Sequence, residues 1–234
     1  MTINPDTMAL FRIGLIPINA TIFYTWVVMT VLCVASYLIT KNLKTHGKIT
    51  RWQSILESLY SLVAGQIREV TGQDPSAYVS FLGTLFIFIF TANIMEVVPI
   101  YHPPTASLST TAALAVCVFF AVPYFAIMKH GVLKFLKEYA EPSIFMVPFN
   151  ILGEITRTIS LAVRLFGNIM SESLIAGILL LIVPLFVPVA MQLFGIVIGT
   201  VQAYIFFTLA TVFIGSAAGT KESGLNKKQK GGTR

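Results

Sequence analysis

Residues 149–183 read FNILGEITRTISLAVRLFGNIMSESLIAGILLLIV, and this stretch decides the fold. As one helix it runs about 50 Å at 1.5 Å per residue, while the hydrocarbon of a bilayer is about 30 Å thick. Such a helix has to tilt strongly or partly leave the membrane. Pro184 and Pro188 then turn the chain into a second long apolar stretch, 188–218. Together the two read as a hairpin of over-long helices. Between Thr158 and Leu193 the only charges are Arg164 and Glu172. An arginine at mid-membrane depth costs roughly 2.5–3.5 kcal/mol on insertion scales, so it faces protein or water and has a task.

The rest of the chain agrees with a membrane setting. It is 56% hydrophobic and 11% charged, with a mean hydropathy of +0.81, which excludes an ordinary soluble domain of this length. Segments 20–39, 78–100 and 108–128 are also long and apolar enough to cross, giving about five spans. The first is too long, and its flanks too weakly basic, for a cleavable signal peptide. Lys41, Lys44, Lys48 and Arg51 follow span one, Lys129, Lys134 and Lys137 follow span three, and Lys221, Lys227, Lys228, Lys230 and Arg234 follow span five. With five spans these groups share one side, which the positive-inside rule makes cytoplasmic. The N-terminus is then outside and the C-terminus inside. This asymmetry accounts for the net charge of +6 without a nucleic-acid partner. Residues 1–219 form a single polytopic domain, and 220–234 form a basic, disordered tail.

Residues 49–70 place Ile55, Leu59, Leu62 and Val63 among polar neighbours at helical spacing, the pattern of an amphipathic helix. It lies in the membrane interface or packs as a cytoplasmic helix; both remain open. A second short cytoplasmic helix covers about 131–139. Cys33 and Cys117 lack metal-ligand spacing and read as small core residues. No metal or cofactor site and no phosphate-binding loop are apparent, so the chain is not itself an ATP-hydrolysing enzyme.

Arg157, Arg164, Asn168, Ser171 and Glu172 share one broad stripe of the long helix. Glu154 stands three residues before Arg157, close enough to pair with it. On the last helix Gly195, Gly199 and Gln202 form a small-residue face ending in an amide, which the hairpin brings towards the stripe. Asn93 and Glu96 lie within the end of span two, before a turn-prone loop at 99–105 that carries His102. Plainer readings stand beside these: Arg157 with Glu154 as a snorkelling or paired interfacial cation, the glycines as a helix contact, Asn93 and Gln202 as interhelical glue, and His102 as a surface residue. Arg164 has no such alternative, because mid-span is too deep to snorkel from and no acid lies within one turn.

The string Leu161-Ala-Val-Arg-Leu-Phe-Gly-Asn168, followed by Gln202-Ala-Tyr-Ile-Phe-Phe-Thr-Leu209, closely resembles subunit a of F-type ATP synthases, and the order of spans extends the resemblance over nearly the whole chain. The resemblance implies an all-α, non-catalytic stator subunit in the bacterial inner membrane, needing no cofactor. Its tilted C-terminal hairpin would face a ring of c subunits across two offset half-channels. Implied partners are that c ring, b-type peripheral-stalk subunits, the F1 sector and membrane lipid. Arg164 matches the family's essential arginine, with Asn168, Gln202 and Asn93 at matching polar positions.

The chain departs from the pattern where the family often has Asp after Pro-Thr-Ala, here Ser107. The acid that often follows the Asn by five is here Ser173, with Glu172 one residue earlier. Position 195, His or Glu in some members, is Gly as in plastid-like members. Glu172 and Glu96 are therefore the expected acids of the outer half-channel, with Glu154 and Arg157 near the cytoplasmic one. Because the c ring of this family supplies the ion-binding carboxylate, the chain leaves H⁺ and Na⁺ both open as the coupling ion; Ser107 and the short N-terminus point to a divergent, alternative (N-type) bacterial branch, with Na⁺ the candidate ion there. An autonomous ion-coupled secondary transporter is the competing reading; it would need its own substrate site, and there is no sign of the internal repeats on which many such folds are built.

Overall fold

A computed structural model describes residues 9–13, 16–41, 51–97, 101, 103–133, 135, 146–182 and 187–219. The expected tail at 220–234, His102, and most of the short helix expected at 131–139 fall outside these residues. Among the described residues six long helices follow one another: α1 (Ala20–Thr40), α2 (Arg51–Thr71), α3 (Val79–Ile94), α4 (Leu108–His130), α5 (Met146–Ile182) and α6 (Val187–Gly219). A small antiparallel hairpin, β1 (Ala9–Ile13) with β2 (Ile16–Asn19), precedes them and was not expected from the sequence. The described remainder is helical, an all-α membrane architecture.

By length and composition α1, α4, α5 and α6 can each cross a membrane. With 37 residues, α5 is about 55 Å long, and α6 with 33 is about 50 Å. The second expected span is shorter than its apolar stretch: α3 has 16 residues, about 24 Å. A 3₁₀ turn at Met95–Val97 extends it by about 2 Å per residue, which brings the pair to the thickness of the hydrocarbon.

The last helix is the hub, packing against α2, α3, α4 and α5. Ala203, Phe206, Ala210, Ile214 and Ala218 recur at helical spacing on its buried side, and small residues alternating with large ones let four neighbours approach. Thr71 of α2 packs on Gly215, where a Cβ would come 2.6 Å from Thr71 Cγ2. Val63 and Ile67 seat α2 in the same core, while Ile55 and Leu62 stay exposed. The structure thus packs α2 on the helical bundle, on a face only partly that expected from sequence. Helix α1 is peripheral, touching α3 and the segments around it.

The segment Pro103–Ser107 is buried throughout. Its 3₁₀ turn, Pro104–Ala106, lies against α1, α3, α4 and α5, and Ser107 caps α4 by accepting the amide of Ser109 at 3.2 Å. Serine and aspartate are comparable N-caps, so Ser107 keeps the helix start without a charge. At its other end α4 stops at Gly131, whose φ of +79° suits glycine. There His130 Nε2 donates to the Ala218 carbonyl at 2.7 Å, tying α4 to the last turn of α6. Cys33 and Cys117 are exposed, which corrects the expectation of core positions. A lipid-facing surface is as apolar as the core, so sequence cannot separate the two.

Candidate functional site

Arg164 stands eighteen residues from each end of α5 and is exposed. Among the described residues it makes no hydrogen bond or ion pair. Ser160, Ser171, Ile175 and Ile178 share its exposed side, and Val197, Val201 and Tyr204 are exposed on α6. The cation therefore stands on an exposed side of α5 that carries one further polar amide, Asn168, among serines and apolar residues.

One turn on, Asn168 Nδ2 donates to Gln202 Oε1 at 2.5 Å. Gln202 is buried and its Nε2 has no partner among the described residues. Glu172 is 8% exposed, with its carboxylate over Gly195, so that a Cβ at 195 would overlap Oε1. Four residues further along α6, Gly199 receives Asn93: a Cβ there would lie 2.7 Å from Asn93 Cβ. Asn93 Nδ2 donates to the Gly199 carbonyl at 3.0 Å, and Thr105 Oγ1 donates to Asn93 Oδ1 at 2.8 Å. The Gly195–Gly199 pair, legible in sequence as a packing motif, is thus the seat of two polar side chains from two other helices.

Glu96 follows α3 in the 3₁₀ turn and is near enough to Glu172 for their charges to interact. Tyr101, which the sequence did not single out, also feels the charge of Glu96; burial and then that charge hold its phenol above its ordinary pKa. These contacts join Asn93, Glu96, Glu172, Gln202 and Asn168 into one group that reaches to within a turn of Arg164 on α5.

Glu154 and Arg157 lie apart from this group, nearer the start of α5. They line a cavity of about 370 Å³ between α4, α5 and the end of α6, with Asn150, Thr158 and Phe213. Arg157 stacks over Phe213, 5.5 Å from the ring centroid, and its charge acts on Glu154. Among the described residues no group of three His, Cys, Asp or Glu side chains could hold a metal.

Fold and site together define a multi-span membrane protein with a fixed cation midway along a helical hairpin and a polar cluster on one side of it. Residues 22–215 match the protein family described as ATP synthase A chain. Similar proteins include an ATP synthase subunit a of Picosynechococcus sp., 51% identical over 95% of each chain. Another, from Albidiferax ferrireducens, is 52% identical over 93% of this chain and 94% of its own. A third, from Chlorobaculum parvum, is 52% identical over 95% and 98% respectively. The chain belongs to the ATP synthase subunit a family, the membrane stator subunits of F-type ATP synthases. It is a multi-pass protein of the bacterial inner membrane, and nothing in these likenesses supports an autonomous transporter.

Proposed function

We propose that this subunit passes the coupling ion, H⁺ or Na⁺, to and from a rotating c ring through two half-channels, with Arg164 as the fixed charge between them, and has no catalytic activity of its own. The observation that carries this reading is the exposed, unpartnered position of Arg164 among the described residues. A permanent cation on a lateral face at mid-membrane depth needs an anion from another chain. Arginine does not deprotonate, so it cannot relay a proton and acts electrostatically. A ring carboxylate brought beside it has its pKa lowered by roughly 1–3 units, which favours ion release. The same charge repels a cation from crossing directly, so transport goes round with the ring.

Asn93, Glu96, Glu172 and Gln202, with Asn168, would form the outer half-channel. Glu154 and Arg157 would border the cytoplasmic one, at the cavity they line. The basic loops set the N-terminus outside and the C-terminus inside. Partners beyond the c ring are the b-type peripheral stalk, the F1 sector and lipid.

The face can be tested by disulfide cross-linking in a background without Cys33 and Cys117. Ser160→Cys and Ser171→Cys are expected to cross-link to cysteines on the outer helix of c; failure of both would place the ring elsewhere.

A further inference from the structure

Tyr101 sits where the loop after α3 returns to the bundle, and it is 8% exposed. Its ring is wedged between α1 and α3, against Val28 and Ala92 with Tyr24 and Met95 beside them. The Tyr24 ring meets it edge-on at 5.0 Å. Phenylalanine would fill this place equally well, so packing accounts for the ring and leaves the hydroxyl unexplained. That hydroxyl is buried and has no hydrogen-bond partner among the described residues, and buried polar groups in native proteins are almost always satisfied. The charges of Glu96 and Tyr24 act on it, and that of Glu172 acts on Glu96 in turn.

We propose that the Tyr101 hydroxyl and the Glu96 carboxylate together form the first polar step of the outer half-channel, holding the entering ion or a water of its hydration between them. The inference rests on the outer half-channel assigned above and adds its mouth. Polar groups then follow from the loop towards mid-membrane: Tyr101, Glu96, Glu172 over Gly195, the Asn168–Gln202 pair, and Arg164. A phenol suits the first position because it donates and accepts without carrying charge at physiological pH. It can offer a proton to water at the carboxylate, or an oxygen to a partly dehydrated cation. Tyr101 is a positioning residue for the ion, and its hydroxyl sets how readily the path fills.

The test uses the whole ATP synthase in proteoliposomes, with ATP synthesis driven by an imposed ion gradient. Tyr101→Phe keeps the wedge and removes the hydroxyl. We expect assembly and detergent-released ATP hydrolysis to match the unaltered complex, while the outer ion concentration for half-maximal synthesis rises about threefold to tenfold, the equivalent of one hydrogen bond. A purely structural tyrosine would not move that half-saturation point. Glu96→Gln is measured in parallel. If it slows synthesis and Tyr101→Phe does not, the role of Tyr101 is refuted and the outer path stands. If neither variant changes synthesis, the outer path through Glu96 falls, and the Tyr101 proposal with it.

Discussion

Glu172 on α5 carries its carboxylate into the notch left by Gly195 on α6, so the two positions are sterically coupled across the hairpin. The carboxylate keeps this place only while 195 has no Cβ. The atom that a Cβ would meet is the far end of a flexible side chain, so enlarging 195 moves the carboxylate before it moves the helices. Gly195→Ala is expected to slow ion-driven ATP synthesis several-fold while changing stability by less than about 1 kcal/mol. Glu172→Gln should also slow synthesis. In a Glu172→Ala background, adding Gly195→Ala should cost nothing further, because the clash is gone. Additive losses in that cycle of rate measurements would show that the notch serves something other than Glu172.

Gly199 differs, because the atom it faces is Asn93 Cβ, fixed to the backbone of α3. Gly199→Ala must push α3 and α6 apart, with an expected cost of about 1–3 kcal/mol. Asn93→Ala removes the partner of both Thr105 and the Gly199 carbonyl, again about 1–3 kcal/mol. The temperature at which the subunit dissociates from the complex should fall in both variants, and an unchanged temperature in Asn93→Ala would discount the network as a structural clamp.

Arg164→Ala should abolish coupled synthesis and ATP-driven pumping. The complex should still assemble, since Arg164 bonds to no described residue of its own chain. Synthesis measured in inverted membranes, with subunit content checked on native gels, decides it: persisting synthesis would overturn the stator mechanism assigned here.

His130 donates to the Ala218 carbonyl across 88 residues of chain. Its loss in His130→Ala should loosen the end of α6 by about 1 kcal/mol, read as faster amide hydrogen exchange around 211–219. Unchanged exchange there would make the contact incidental.

Much of this was legible in the sequence because membranes impose a simple length rule. The helices over 20–40, 108–130, 146–182 and 187–219 begin and end within a few residues of their apolar stretches. The stripe through Arg164, Asn168 and Glu172 follows from helical periodicity alone. Illegible were the pairings across helices. Asn93 meets Gly199 over 106 residues of chain, and nothing near either residue encodes that register. The wedge at Tyr101 was hidden for the same reason, since an aromatic in a proline-rich loop looks exposed until the fold returns it to the bundle. Cys33 and Cys117 show a related limit: apolar sequence does not say whether its surroundings are protein or lipid.

Arg164, exposed on α5, is a charge that no physiological pH removes, so the boundary it would set between the two half-channels does not titrate. Whatever share of the voltage falls on each side of it, the two shares sum to the whole. An ion entering by one side and leaving by the other would gain about 2.3 kcal/mol per elementary charge at 100 mV. The work available per ion is then fixed by the membrane voltage and not by the depth of the arginine.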